Sequence, residues 1–191
     1  MDYSLRAGLT GQTLRRSYAA QFEVREVGAG GNRVELTGYA SVTDRPYEMS
    51  DLLGDYSEVV RSGAFGATLS RSPDVAFLTN HGGLTMARTS SGTLRLEEDT
   101  RGLLSVAQLN MERGDVRDLV TAVRDGDIDQ MSFAFRVDDQ AWNDRYTERE
   151  IRAVDLDRGD VSAVNFGANP STAISARGVS VRALQMRFAC R

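Results

Sequence analysis

A strand-like segment at residues 127–137 constrains this chain more than any other part of its sequence. Its residues alternate in character, and one face is wholly apolar, made of Met131, Phe133, Phe135 and Val137. Side chains on a strand point alternately to its two faces, so packing of the aromatic face fixes where Ser132 points. We predict that Ser132 points away from the main core, on a rigid strand and with room for another molecule to approach. An ordinary solvent-facing serine would show the same pattern.

The charge balance of the chain excludes several classes of function. The 191 residues carry a net charge of −4, which gives no sign of a nucleic-acid or anionic-membrane partner. All 23 residues counted as Lys plus Arg are arginine, which excludes a lysine nucleophile. A hydrophobic fraction of 41% and a charged fraction of 26% are typical of one soluble domain.

Cysteine and histidine are almost absent. Cys190 is the one cysteine, so no disulfide forms within the chain, and a reducing compartment is expected. With one cysteine and one histidine, a zinc site built from these ligands in a single chain is excluded. No apolar run reaches the roughly 18–20 residues of a membrane span, and the first residues do not resemble a signal peptide. We therefore expect a cytosolic protein without a metal or organic cofactor.

Period-two patterns predict further strands along the chain. They lie at residues 21–27, 34–42, 57–60, 74–80, 93–97, 103–109, 151–156 and 161–166. The glycine-rich stretch 28–32 predicts a hairpin turn, residues 142–150 predict a hairpin tip, and residues 157–159 predict a tight turn. Gly38 interrupts the strand at 34–42, which indicates close approach of another element.

Two segments have helical spacing. Residues 115–124 place apolar side chains on one face, with Asp115 as a candidate N-cap and Gly126 as a candidate terminator. Residues 62–69 predict a shorter helix capped by Ser62. Residues 43–56 read as a loop.

These elements predict a mainly β fold of the α+β class with flanking helices. About seven strands would form an antiparallel β-barrel or sandwich, with the helices packed outside. We expect a flexible N-terminal arm at residues 1–18, one domain at residues 19–176 and a C-terminal tail at residues 177–191.

His81, the single histidine, follows a predicted strand and precedes Gly82 and Gly83. A lone histidine is commonly structural, but this strand end is an accessible position. Imidazole accepts and returns protons near neutral pH, and a serine hydroxyl becomes a good nucleophile only when a base accepts its proton. Ser132 would therefore depend on His81. Asp160 is the candidate for orienting the imidazole ring, although it could equally be a turn aspartate paired with Arg158.

Six segments together resemble a known family. They are LTGYASV (36–42), SGAF (62–65), FLTNH (77–81), ARTSSGTLRL (87–96), GDIDQMSFAF (126–135) and GDVSAVNFGANP (159–170). In this order they resemble the prohead, or capsid maturation, proteases of tailed double-stranded DNA bacteriophages, over roughly residues 16–176. Each segment alone is weak, and it is their order and spacing that carry the resemblance.

The resemblance implies a serine endopeptidase with a β-barrel similar to that of the herpesvirus assembly proteases. By match, His81 takes the place of the family's histidine, Ser132 that of its serine and Asp160 that of its acidic residue. One extra residue precedes Asp160, which leaves open a Ser–His dyad assisted by another group.

The implied partner is the major capsid protein with its scaffolding segment. The portal protein is a second candidate partner, and self-association into a homo-oligomer is expected. The implied place of action is the assembling prohead in the host cytoplasm, with removal of the chain's own ends.

Two other functions stay open at this stage. A non-catalytic assembly or scaffold protein could keep the same fold without activity. A metal-dependent hydrolase could use Asp and Glu ligands, and it would lose activity in a chelator.

Overall fold

The computed structural model describes residues 6–7, 12–27 and 32–167 of the chain. The helices in this part are α1 (Gly66–Ser70) and α2 (Gly114–Asp125). The strands are β1 (Leu14–Ala19), β2 (Glu23–Val27), β3 (Arg33–Val42), β4 (Tyr47–Asp51), β5 (Gly54–Val60), β6 (Ala76–Thr79), β7 (Gly82–Arg88), β8 (Leu94–Glu98), β9 (Gly102–Asn110), β10 (Gln130–Trp142) and β11 (Glu148–Val164). The prediction of a mainly β fold with few helices is confirmed, but the described residues form eleven strands instead of about seven.

Strand pairing defines two sheets. The larger follows the order β1-β10-β11-β5-β4, and it continues from β11 through β6 to β7. The smaller follows the order β2-β3-β9-β8, and residues of both sheets contribute to one hydrophobic core. Neighbouring strands are antiparallel except where β11 pairs with β5 and with β6. Among the described residues these pairings do not close into a ring, so the predicted barrel is not confirmed.

The aromatic face of β10 packs as the sequence predicts. Met131, Phe133, Phe135 and Val137 are all buried. The ring of Phe133 stacks on that of Phe135 at 4.5 Å between centroids and meets the edge of Phe65 at 5.6 Å. Burial of each such side chain stabilises the fold by about 1.5–3 kcal/mol. This face therefore anchors β10 and sets the direction of Ser132.

Gly38 confirms the predicted close approach within the core. A Cβ atom at this position would lie 2.8 Å from Sδ of Met131 and 3.2 Å from the ring of Phe22. Any side chain here would press on the end of the Met131 side chain, which belongs to the strand that carries Ser132.

Both predicted helices form, but their caps differ from prediction. Helix α2 ends at Gly126, which has the expected positive φ of 80°. Its N-cap is Arg113 instead of Asp115, which lies inside the first turn, where its carboxylate pairs with the Arg113 guanidinium and accepts a bond from the Val116 amide. Helix α1 begins later than predicted, after Phe65, and Ser62 does not cap it.

The loop predicted at residues 43–56 is wrong. Strands β4 and β5 form an antiparallel hairpin there, with Asp51 opposite Gly54. The other predicted hairpins, β2–β3, β8–β9 and the tip between β10 and β11, are confirmed. Residues 28–31 of the first turn lie outside the described residues.

The prediction of a loose arm at residues 1–18 is wrong for its second half. Residues 14–18 belong to β1, which pairs with β10 in six consecutive positions. Arg6 is also packed: its side chain is 2% exposed and hydrogen-bonds the Asp51 carboxylate and the Gly54 carbonyl oxygen. A strand partner so far along the chain, such as Phe135 for Leu14, leaves no local signal, which is why sequence periodicity missed it.

Strand β11 is continuous where the sequence predicts two strands and a tight turn. Its pairing with β10 moves from Asp160 opposite Ala134 to Asp155 opposite Arg136, so the extra residues of β11 bulge outward. Gly159 allows this bulge, because a Cβ atom there would lie 2.3 Å from the carbonyl oxygen of Ala134. The predicted tail, residues 177–191 with Cys190, lies outside the described residues.

Candidate active site

His81 occupies a two-residue turn between β6 and β7. Thr79 pairs with Gly82 across the turn, and the two central residues have positive φ, 51° for Asn80 and 56° for His81. Positive φ at both central positions is what the favoured two-residue hairpin turns require, and asparagine tolerates it well. For a residue such as histidine this conformation costs about 1–2 kcal/mol. Such a cost persists only where the surroundings hold the turn.

Asn80 holds the turn against the end of β11. Its backbone N–H donates to the carbonyl oxygen of Ala163 at 2.9 Å. Its side-chain oxygen accepts a bond from the Asn165 amide at 3.0 Å, and its side-chain nitrogen donates to Oδ1 of Asn165 at 3.3 Å. Strand β6 also pairs with β11, so His81 and Asp160 belong to one rigid unit.

Ser132 lies in the middle of the larger sheet, with Ser17 of β1 on one side and Ser162 of β11 on the other. The prediction that it faces open space is wrong, because its exposed fraction is 0%. Alternation along the strand separates the two faces, but it does not reveal that the β6–β7 turn covers the second one. The hydroxyl of Ser132 lies within 2.7 Å of Nε2 of His81 and 3.0 Å of the carbonyl oxygen of Arg16.

The structure brings the three predicted site residues together in one hydrogen-bonded chain. Nδ1 of His81 lies 2.6 Å from Oδ2 of Asp160, and Nε2 lies 2.7 Å from Oγ of Ser132. The side chains of His81 and Asp160 are only 11% and 12% exposed. The alternative pairing of Asp160 with Arg158 is not what the structure shows.

The chemistry of the donors and acceptors sets the direction of this chain. An ionised carboxylate only accepts hydrogen bonds, so Nδ1 of His81 carries the proton that points to Asp160. Nε2 is then an acceptor, and the Ser132 hydroxyl donates its proton to it. The carbonyl oxygen of Arg16 is a second, more distant acceptor for the same proton. In this arrangement the serine proton already points at the base that would remove it.

Asp160 has a second buried partner. The hydroxyl of Ser162, two residues further along β11, donates to Oδ2 of Asp160 at 2.5 Å. Ser162 is fully buried, with an exposed fraction of 0%. Oδ2 therefore accepts from both Ser162 and His81, a contact that the sequence analysis did not predict.

A buried ionic cluster supports β1 from its other face. The Glu58 carboxylate accepts bonds from Arg16, from Tyr47 and from Nη1 of Arg149, the last at 2.8 Å. Burial by itself opposes ionisation of Glu58, but the bond and charge of Arg16, with Arg149 and Tyr47, outweigh it and lower its pKa. Burial raises the pKa of Tyr47 well above its usual value. This cluster fastens β1, whose Arg16 carbonyl touches the hydroxyl of Ser132.

The sequence alone did not predict this ionic cluster. Arg16 and Glu58 are 42 residues apart, and each reads as an ordinary polar strand residue. Arg149 falls in a charged hairpin that looks solvated from the sequence alone. Only the assembled sheet, in the order β1-β10-β11-β5, places the three charges together.

A groove lies beside the His81 turn. It has a volume of about 620 Å³ and runs between the start of β7 and helix α2. Leu119 and Ile128 contribute its apolar floor, while Asp118 and the exposed Leu84 contribute its rim. Asn80 and Gly82, the two neighbours of His81, also line it. The groove therefore borders the turn that carries the candidate base.

A membrane-spanning helix and a cluster of metal ligands are both absent from the described part of the chain. Within residues 6–7, 12–27 and 32–167, no helix is long and apolar enough to cross a membrane. Over the same ranges, no group of three or more His, Cys, Asp and Glu residues is placed to hold a metal ion.

A buried serine, histidine and aspartate in one hydrogen-bonded chain, mounted on a mainly β scaffold, is the arrangement found in serine hydrolases. Comparison with protein families identifies one family within the serine hydrolases. The family model described as caudovirus prohead serine protease matches residues 20–187, so the chain belongs to that family. Searches of curated proteins and of solved structures find no match to the chain.

Proposed function

We propose that this protein is a serine endopeptidase that cleaves the scaffolding part of the major capsid protein during maturation of a phage prohead. The observation that carries the proposal is the hydrogen-bonded chain from Ser132 through His81 to Asp160. Membership of the prohead serine protease family supports the reaction class and the capsid substrate.

The proposed reaction begins when Oγ of Ser132 attacks a peptide carbonyl and Nε2 of His81 takes its proton. The Asp160 carboxylate stabilises the imidazolium and keeps the ring in place. His81 then gives the proton to the leaving amine, and an acyl-enzyme on Ser132 remains. A water molecule, deprotonated by His81, hydrolyses this ester and restores the serine.

The groove beside His81 is the candidate position for part of the substrate. It reaches the residues on both sides of the proposed base, and its floor is apolar. The full burial of Ser132 means that a peptide must displace part of the surrounding structure to reach its hydroxyl. The enzyme would therefore act on a substrate held in place, as the scaffolding segment is inside a prohead.

The wider biological setting follows the family. The proposed site of action is the assembling prohead in the host cytoplasm, with the capsid protein as main partner, the portal protein as a second partner and self-association into a homo-oligomer. The fold is proposed to be related to the barrel of the herpesvirus assembly proteases. Self-cleavage is proposed for the C-terminal tail at residues 177–191. Because Arg6 and β1 are packed into the fold, the N-terminal arm is no longer a candidate for complete removal.

The decisive experiment compares the wild type with Ser132→Ala, each co-expressed with the capsid protein and followed by intact-mass analysis. The proposal requires that the wild type trims the capsid protein and that Ser132→Ala does not. Ser105→Ala is a matched control, because Ser105 is also a buried strand serine, but its hydroxyl has no hydrogen-bond partner among the described residues.

The same experiment separates the rival functions. Equal trimming by Ser132→Ala and the wild type would remove Ser132 from the mechanism. If neither protein trims the capsid protein but capsids still assemble normally, the non-catalytic scaffold function is favoured. Loss of trimming in a chelator would favour the metal-dependent hydrolase, since a serine mechanism needs no metal.

A further inference from the structure

We propose that Ser162 is a positioning residue for the site: its hydroxyl holds the Asp160 carboxylate in the orientation that accepts the Nδ1 proton of His81. This inference rests on the proposed function. It adds a fourth member that acts through Asp160 and does not touch the substrate. The carrying observation is the 2.5 Å contact from Oγ of Ser162 to the same oxygen that lies 2.6 Å from His81.

The backbone of Ser162 is fixed from both sides. It pairs with Ser132 of β10 on one side and with Leu78 of β6 on the other, in the middle of the larger sheet. Residues two apart on a strand point to the same face, so the hydroxyl of Ser162 is directed at the side chain of Asp160. The rotation of a single Cα–Cβ bond is thus the main freedom left to it.

A carboxylate next to a bulge needs such a support. Asp160 follows Gly159, where the extra residues of β11 leave the regular ladder with β10. An aspartate side chain has two rotatable bonds, and one hydrogen bond to a histidine does not fix both of them. A second donor on Oδ2 removes the rotation that would turn this oxygen away from His81. Hydrogen bonds to ionised acceptors are also stronger than neutral ones.

A purely structural role for Ser162 is the competing explanation. A buried hydroxyl needs a partner, and Asp160 satisfies this need whether or not catalysis benefits. The two explanations differ in what Ser162→Ala does to His81. A structural role changes stability alone, while a positioning role changes the hydrogen bond between His81 and Asp160.

The single histidine makes this bond observable without measuring activity. Because His81 is the only histidine in the chain, an untagged or non-histidine-tagged protein gives one set of imidazole N–H resonances in nitrogen-15 NMR. All spectra are recorded in a Ser132→Ala background, which prevents self-cleavage. The reference protein should show a slowly exchanging downfield Nδ1 proton, and Asp160→Asn should abolish it.

On this background, Ser162→Ala is expected to broaden the Nδ1 proton resonance or move it upfield. Ser162→Thr, which retains the hydroxyl, and the control Ser105→Ala should leave it in place. In the active protein, we expect Ser162→Ala to lower kcat for the capsid cleavage-site peptide by about tenfold with KM unchanged, and Ser162→Thr to restore most of it.

Several results would overturn the inference. The first is an unchanged Nδ1 resonance in Ser162→Ala, whatever happens to kcat. The second is absence of that resonance from the reference protein, since His81 would then not be bonded to Asp160. If Ser162→Ala does not fold, Ser162→Cys decides, because a thiol fills a similar volume but donates weakly. Failure of the proposed function is seen separately, as equal trimming by the wild type and Ser132→Ala.

Discussion

Replacement of Glu58 by glutamine tests whether the buried cluster beneath β1 holds the site together. The side chain of Glu58 is 0% exposed, and those of Arg16 and Arg149 are each 6% exposed. Glu58→Gln keeps the shape but removes the negative charge, which leaves two guanidinium groups buried near each other. Removing one partner of a buried ion pair costs about 3–5 kcal/mol. Since small domains are stable by roughly 5–15 kcal/mol, this is a large fraction of the total.

The measurement is urea and thermal unfolding in the Ser132→Ala background at neutral pH. For a domain of this size, about 1 kcal/mol corresponds to a Tm shift of about 2–4 °C, so we expect a decrease of about 6–20 °C. Glu35→Gln is the matched control, because its partner Arg25 is 71% exposed and such pairs contribute about 0–1 kcal/mol. A loss below about 1 kcal/mol for Glu58→Gln would refute the reasoning, since it would mean that water reaches the two arginines.

Three further predictions concern stability and the His81 turn. Burial raises the pKa of Tyr18 to about 12, so the folded state keeps the phenol neutral while the unfolded state ionises near pH 10. The contribution of Tyr18 to the free energy of unfolding is complete below pH 10 and should fall by about 3 kcal/mol towards pH 12. Urea titrations at each pH should show a smaller decline for Tyr18→Phe. Gly159→Ala should destabilise the fold by about 1–3 kcal/mol and lower trimming, because the new Cβ atom meets the carbonyl oxygen of Ala134 at 2.3 Å. The control Gly114→Ala should change the stability by less than about 1 kcal/mol. Asn80→Gly and Asn80→Ala should both lower trimming. The alanine variant should be about 1 kcal/mol less stable than the glycine variant, because φ is 51°; equal stability of the two variants would show that the turn is not strained.

Local patterns were enough to predict the parts of the fold that depend on one strand or one helix. The packed aromatic face of β10, the spacing within α2 and the glycine after it are properties of short segments, and the structure confirms them. The β2–β3, β8–β9 and β10–β11 hairpins were predicted for the same reason, whereas the β4–β5 hairpin was missed. In each case the residues that decide the structure are neighbours in the sequence.

Long-range pairing explains most of what the sequence did not reveal. Strand β1 lies beside β10, and its residues LRRSYA give no sign of the burial of Arg16. The bulge in β11 looks like a turn in the sequence, because it contains Gly159 directly after two charged residues. The burial of Ser132 depends on the β6–β7 turn, which is 51 residues earlier in the chain.

The candidate site was predicted partly from chemistry and partly from resemblance. A serine with one available histidine follows from the residues themselves, and the structure places their side chains in contact. Asp160 was a candidate from the residues alone, with a turn aspartate equally open, and the resemblance to the family then favoured it. Ser162 was not identified, since a serine two residues after an aspartate is unremarkable until β11 fixes both side chains on one face.

The order in which the chain is synthesised gives the bulged strand β11 a further consequence. The residues of the hydrogen-bonded chain appear from the ribosome in the order His81, Ser132 and Asp160. Asp160 lies near the end of β11, and β11 also pairs with β6, so the turn with His81 lacks this pairing until the strand is complete. A nascent or truncated chain that ends before residue 160 therefore has a serine and a histidine but no means of orienting them. Such a chain should be unable to cut neighbouring proteins on the ribosome, and the fold itself would delay activity until translation of the domain is nearly finished.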